Sequence, residues 1–115
     1  MEDEARTTIE RFHEALNRRD LGALGELITD DCVFEATSPA PDGTRHVGRK
    51  AVLEACRAFF AGSTITHFEM EEMFGADDRV IVRWLYTWAG GHVRGVDVLR
   101  VRAGRVAETL AYVKG

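Results

Sequence analysis

Apolar positions in the first half of the chain recur at helical spacing. Over residues 3–18, Ile9, Phe12, Ala15 and Leu16 fall on one stripe and charged side chains take most of the remaining circumference, which predicts an amphipathic helix. On this reading His13 lies on the helix surface. Arg18-Arg19-Asp20 breaks the run, and Asp20 is placed to cap a short second helix that turns Leu21, Leu24, Leu27 and Ile28 inward. Gly22 and Gly25 weaken that helix, so packing must hold it. Asp30-Asp31 reads as a turn into a strand over 32–37, and the loop Ser38–Gly43 follows, with two prolines that remove helix and ladder options. A third helix is predicted after Gly48, with Val52, Leu53, Cys56, Phe59 and Phe60 as its stripe and Gly62-Ser63 as its stop.

From there the period falls to two. Strands are predicted over 64–74, 79–89, 91–101 and 106–113, separated by turns at Gly75–Asp78, Gly90-Gly91 and Ala103-Gly104. The 79–89 strand carries Val80, Val82, Trp84, Tyr86 and Trp88 on one face and Ile81, Arg83, Leu85 and Thr87 on the other. Helices first and a meander of strands last predict an α+β fold: three N-terminal helices packed on one face of a mostly antiparallel sheet. Ile81, Leu85, Val96 and Val98 are apolar on the face away from the helices, and a second copy of the chain is the simplest cover for them. A homodimer through the sheet face is therefore expected.

The 91–101 strand carries the candidate chemistry. One face holds His92, Arg94, Val96, Val98 and Arg100; the other holds Val93, Gly95, Asp97, Leu99 and Val101. Asp97 is the only ionisable group on that second face. An ionised carboxylate does not sit unpaired in an apolar interior. Two roles stay open: Asp97 pairs with a buried donor as a structural group, or it points into a cavity. In a cavity, desolvation favours the neutral acid, which donates a hydrogen bond to a carbonyl; the anion accepts a proton from the carbon beside it. Trp84, Tyr86 and Trp88 on the neighbouring strand give such a cavity aromatic walls suited to a flat hydrophobic ligand. Tyr112 on the last strand either reaches the cavity or closes the core.

Composition narrows the classes. The 115 residues make one domain, 1–115, and 45% apolar with 30% charged content is that of an ordinary water-soluble globule. A net charge of −4 with no basic patch argues against nucleic acid. No run reaches membrane-spanning length, and Met1-Glu2-Asp3-Glu4 is a poor start for a signal peptide, so a cytoplasmic location is expected. Cys32 and Cys56 lie far apart without ligand spacing and read as small buried hydrophobes. No histidine pair has zinc spacing, so no metal and no cofactor is expected.

Several segments resemble one family in their order and spacing. They are Phe12…Ala15-Leu16-Asn17-Arg18-Arg19-Asp20-Leu21, Asp31-Cys32-Val33-Phe34-Glu35, Pro41-Asp42-Gly43-Thr44-Arg45-His46-Val47-Gly48-Arg49, and Gly95-Val96-Asp97-Val98-Leu99-Arg100-Val101…Gly104-Arg105-Val106. Together they are similar to the nuclear transport factor 2-like superfamily, in its SnoaL-like and ketosteroid-isomerase-like branch. The resemblance implies a cone, with a curved sheet wrapped around helices and a pocket at the open end, near which His46 would lie. It also implies an acid on the penultimate strand, which Asp97 matches. The base of ketosteroid isomerases would fall on Ala36, and the tyrosine donor of their first helix on Phe12, so that reaction is not expected. SnoaL-like cyclases use a carboxylate in the Asp97 region as general acid and base. The Asp-Arg-Asp set of limonene-epoxide-hydrolase-like members is not present, because Arg94 and Asp97 point to opposite faces.

The expectation is thus a small-molecule-binding protein. Asp97 is the catalytic candidate, and Phe12, Phe34, Trp84, Tyr86, Trp88, Leu99 and Tyr112 are the candidates for contacting a hydrophobic cyclic or polyketide-like ligand. Isomerase, cyclase or hydrolase chemistry without a cofactor is one outcome, and a non-catalytic ligand-binding or dimerising module is the other.

Overall fold

The computed structural model of the protein describes residues 3–62 and 66–115. Residues 1–2 and 63–65 lie outside the described residues, and with them the expected helix stop at Ser63, the strand start at Thr64 and the first two residues of the acidic N-terminal run. The elements are α1 (Asp3–Arg18), α2 (Leu21–Glu26), β1 (Ile28–Glu35), β2 (Arg45–Val47), α3 (Arg49–Gly62), β3 (Thr66–Ala76), β4 (Arg79–Trp88), β5 (Gly91–Arg102) and β6 (Arg105–Val113). The fold is α+β, with helices packed against a six-stranded mixed sheet in the order β2-β1-β6-β5-β4-β3. Among the described residues no helix is long and apolar enough to cross a membrane.

Two expectations are corrected. The three helices do not precede the strands as a block, because β1 and β2 lie between α2 and α3. The sheet is not a plain antiparallel meander, because β1 pairs in parallel with β6, the last strand. Parallel neighbours need a long crossover rather than a hairpin, and here the crossover is most of the chain. No local pattern announces such a pairing.

Local chemistry explains most boundaries. Helix α1 ends at Arg19, whose φ of 58° lies in the left-handed region, and the amide of Asp20 returns to the Ala15 carbonyl at 3.0 Å. The carboxylate of Asp20 then caps α2, accepting from the Ala23 amide at 3.0 Å. Strand β1 begins at Ile28, four residues before the expected start, and runs through Asp30 and Asp31. Those side chains point outward and are held by arginines: Asp30 by Arg49, and Asp31 by Arg102 at 2.6 Å. Both aspartates lie in the stretch between Ile28 and Val33 where the β1–β6 register shifts. Glycine at 75 and Ala76 belong to β3, so the β3–β4 turn shrinks to Asp77-Asp78, with Asp77 at φ 55°.

The core lies between α1, α2 and the inner face of the sheet. Ile9, Leu24, Ile28, Val80, Val82, Leu99 and Val106 are fully buried there. Asn17 ties α1 to the edge strand β3. Its Nδ2 donates to the Phe68 carbonyl at 2.9 Å, and its Oδ1 accepts from the Phe68 amide at 2.8 Å. The core stops short of one end of the sheet, where α3 stands away from β4 and β5 and a cavity opens.

Candidate functional site

Alternation along β4 aims Val80, Val82, Trp84, Tyr86 and Trp88 at the helices. The first three complete the core, and Trp84, Tyr86 and Trp88 line a cavity of about 410 Å³. The β4–β5 register sets Val82 opposite Asp97 and Trp84 opposite Gly95. A Cβ on Gly95 would lie 2.2 Å from the Trp84 ring and 2.3 Å from the Tyr112 carbonyl oxygen. With hydrogen in its place, the Trp84 indole lies across β5 and reaches the next inward residue. Its Nε1 donates to Asp97 Oδ1 at 2.9 Å. The same device recurs at the rim, where a Cβ on Gly91 would meet the Trp88 ring at 2.9 Å.

Asp97 faces the cavity, and Trp84 is its hydrogen-bonding side-chain partner among the described residues. Among the described residues, no arginine or lysine lines the cavity. Burial in this apolar setting pushes the Asp97 pKa up to about 7, and the Trp84 hydrogen bond opposes that rise without cancelling it. Below neutrality the side chain is a neutral acid with a proton to donate; above it, an anion that accepts one.

The walls are aromatic. Phe68 and Tyr86 stack with centroids 4.4 Å apart, Phe59 lies 5.6 Å and Trp88 5.8 Å from Tyr86, and Phe68 meets Trp84 edge-on at 5.9 Å. Phe12 comes from α1, and Cys56, Phe59 and Phe60 come from α3. Phe34 on β1 stacks against His46 on β2 at 5.9 Å. Val52 at the start of the α3 stripe is buried in the core, while the far end of the stripe faces the hollow, where Phe59 remains 41% exposed. Cys32 and Cys56 also line the cavity as free thiols, pushed up to about 12 and about 11 by burial and therefore unreactive.

Of the residues singled out in the sequence, Asp97, Phe12, Phe34, Trp84, Tyr86 and Trp88 come together on this wall. Leu99 and Tyr112 do not. Leu99 shares the face of Asp97 but sits deeper, opposite Val80, where both are fully buried in the core. Tyr112 is 58% exposed on the outer face of the sheet. The β5–β6 register sets Ala111 opposite Asp97, so Ala111 and Val113 take the inward places and Tyr112 points away.

Phe68 and His13 are among the cavity residues that the sequence reading did not assign to it. Phe68 lies on β3, where a register shift between Met70 and Glu72 spoils the alternation. His13 is not on the helix surface; it is 3% exposed and lines the cavity. The signal for it was present, since residue 13 follows Ile9 by four and precedes Leu16 by three. Burial drives its pKa down to about 4, so its imidazole is neutral at physiological pH.

A model of the SnoaL-like domain matches residues 9–109. An NTF2-like protein of unknown function from Mesorhizobium loti shares 42% identity, over 98% of this chain and 93% of its own, with a TM-score of 0.86. A proposed polyketide cyclase from Sinorhizobium meliloti shares 23% identity over 94% of both chains, with a TM-score of 0.79. A proposed ketosteroid isomerase from Kribbella flavida shares 17% identity over 98% of this chain and 79% of its own, with a TM-score of 0.86. The last two likenesses bear on fold alone. No match is found among curated proteins. A helix-lined hollow closed by a mixed sheet, matched along almost its whole length by one family, places this chain in the SnoaL-like domain family, with an NTF2-like fold.

Proposed function

We propose that the cavity binds a small, uncharged, largely apolar ligand and that Asp97 performs acid/base chemistry on it. The observation that carries this reading is a carboxyl group facing an aromatic hollow with an indole N–H, and no cation, as its side-chain partner. A purely structural carboxylate would be paired with a cation or spread over several donors. A pKa near 7 poises the group for both halves of a proton transfer at physiological pH. The volume falls at the lower end of ligand pockets, which run roughly 300–1,000 Å³, and suits a fused-ring compound of two or three rings. Steroid isomerisation is not part of the proposal, because Ala36 and Phe12 line the cavity where that reaction would need a carboxylate and a tyrosine.

The test is deuterium exchange into the carbon beside the carbonyl of α-tetralone, a flat bicyclic ketone, followed by NMR. The wild type accelerates exchange with an inflection near pH 7, and Asp97→Asn lowers the rate by roughly 100-fold or more. Binding of the ketone without any exchange favours the second reading, a non-catalytic binding module, to which the absence of a carboxylate at Ala36 already lends weight.

We also propose that the outer face of the sheet is covered by a second copy of the chain. Ile81, Leu85, Val96, Val98 and Leu110 are only half-buried on this face, and Phe74 and Tyr112 are exposed. The charges among them pair with each other: Arg79 with Glu108 at 2.7 Å, Arg83 with Glu72 at 2.8 Å and Arg94 with Glu71 at 3.1 Å. The face is thereby apolar and charge-balanced, which suits self-association about a two-fold axis.

A further inference from the structure

The cavity contains a second polar side chain that the acid/base reading leaves without a task. His13 is 3% exposed, and neither Nδ1 nor Nε2 has a hydrogen-bond partner. Its ring is held edge-on between Phe12 and Phe68, with centroids 6.1 Å and 6.5 Å away. A neutral imidazole always offers one N–H donor and one bare acceptor nitrogen. Burying such groups unpaired is costly to the fold. Leucine or phenylalanine would fill the same place on the α1 stripe at no such cost. The unpaired nitrogens therefore point to a partner that enters the cavity. Rotation about Cβ–Cγ, a broad torsion in histidine, turns a nitrogen toward the hollow without moving the helix.

Phe68 links this group to the acid. Its ring meets His13 edge-on on one side and Trp84 edge-on on the other, and Trp84 in turn holds Asp97. His13 and the Trp84 indole that holds Asp97 thus flank one aromatic ring. Among the described residues no arginine or lysine lines the cavity, which leaves an anionic ligand without a counter-charge there.

We propose that His13 hydrogen-bonds the ligand directly, and that the ligand is a neutral fused-ring compound with two separated oxygen functions, a carbonyl and a hydroxyl, one reaching Asp97 and the other His13. This rests on the reading that the cavity holds a small molecule. Asp97 acts on the substrate, and His13 fixes which way round it lies.

The experiment is calorimetric titration of the full chain with three probes: naphthalene, α-tetralone and a hydroxytetralone. At about pH 5.5 both side chains are neutral, since His13 protonates near 4 and Asp97 ionises near 7. The wild type binds the probes with affinity rising in that order, each oxygen adding roughly tenfold. His13→Phe cuts the affinity for hydroxytetralone by about tenfold and leaves naphthalene unchanged or tighter. His13→Gln, which keeps a donor and an acceptor, restores most of the loss. An unchanged ratio of hydroxytetralone to naphthalene affinity in His13→Phe overturns the role of His13 while leaving the ligand cavity standing. Failure of all three probes to bind the wild type overturns the cavity reading and this one together. A second measurement needs no variant. The imidazole nitrogen resonances of wild-type His13 move with hydroxytetralone and stay in place with naphthalene; equal movement with both overturns the proposal.

Discussion

At the scale of single residues, Asp97 and His13 place opposite demands on pH. Asp97 has a folded pKa of about 7 against an ordinary 3.8, so the folded state holds a proton that the unfolded state has released. Its contribution is most favourable below about 3.8 and is lost as pH rises through 7. His13 has a folded pKa of about 4 against an ordinary 6.5, so the unfolded state gains a proton that the fold refuses. Its contribution is most favourable above 6.5 and is lost as pH falls through 4. The other titratable groups on the wall are Cys32, Cys56, His46 and Tyr86, and both thiols stay protonated across this range. In the wild type the two slopes largely cancel between about 4 and 6.5, and single substitutions uncover them. Asp97→Asn gains stability on the wild type as pH rises from about 4 to about 7. His13→Phe gains on it as pH falls from about 6.5 to about 4. Each gain is on the order of a few kcal/mol at its extreme, and urea denaturation at a series of pH values measures both. The asymmetry between these residues also marks what could be read from the chain. Asp97 stood out because strict alternation isolated one acid among valines and a leucine. His13 did not, because its neighbours Glu10, Arg11 and Glu14 are charged and the eye assigns it to them, although its spacing from Ile9 and Leu16 is that of a buried position.

At the scale of elements, the positions of α1 and α3 decide whether a hollow exists. Asn17 does for α1 what a further strand would do for β3: one amide side chain replaces a ladder pair at Phe68. Asn17→Ala leaves that backbone amide and carbonyl without these partners, and is expected to cost about 1–3 kcal/mol in denaturant unfolding. Because Phe68 forms part of the cavity wall, the loss also loosens the edge of the site. Local elements were largely legible. The first two helices, the cap at Asp20, the two-residue turns at Gly90 and Ala103 and the phase of β4 and β5 all follow from propensity and alternation. Besides the parallel pairing of β1 with β6 and the short strand β2, two features were not. Strand β1 runs through Asp30 and Asp31, which sequence rules assign to turns, in an irregular stretch whose partner strand β6 is most of a chain length away. The phase of β6 hung on a register shift between Arg100 and Val101, and that phase alone sends Tyr112 outward and Ala111 inward.

At the scale of the whole molecule, the proposed homodimer is the feature with the widest reach. Light scattering behind a sizing column is expected to give twice the chain mass of 12.8 kDa at micromolar concentration. Val96→Glu, which sets a charge among half-buried apolar neighbours of the outer face, is expected to return the particle to the monomer mass; a monomeric wild type would remove the proposal. The order of helices and strands, and the family likeness spread along the chain, made the general architecture readable before any coordinates. The hollow was harder to read, since a stripe such as that of α3 looks the same whether it fills a core or faces a vacancy. The wall of that hollow has one practical corollary. The chain has just two tryptophans, Trp84 and Trp88, and both stand in it. The ultraviolet emission of its indoles therefore carries no background from elsewhere in the protein. One of those indoles is bonded to the titrating acid, so the colour and yield of its light report occupancy and ionisation without any added label.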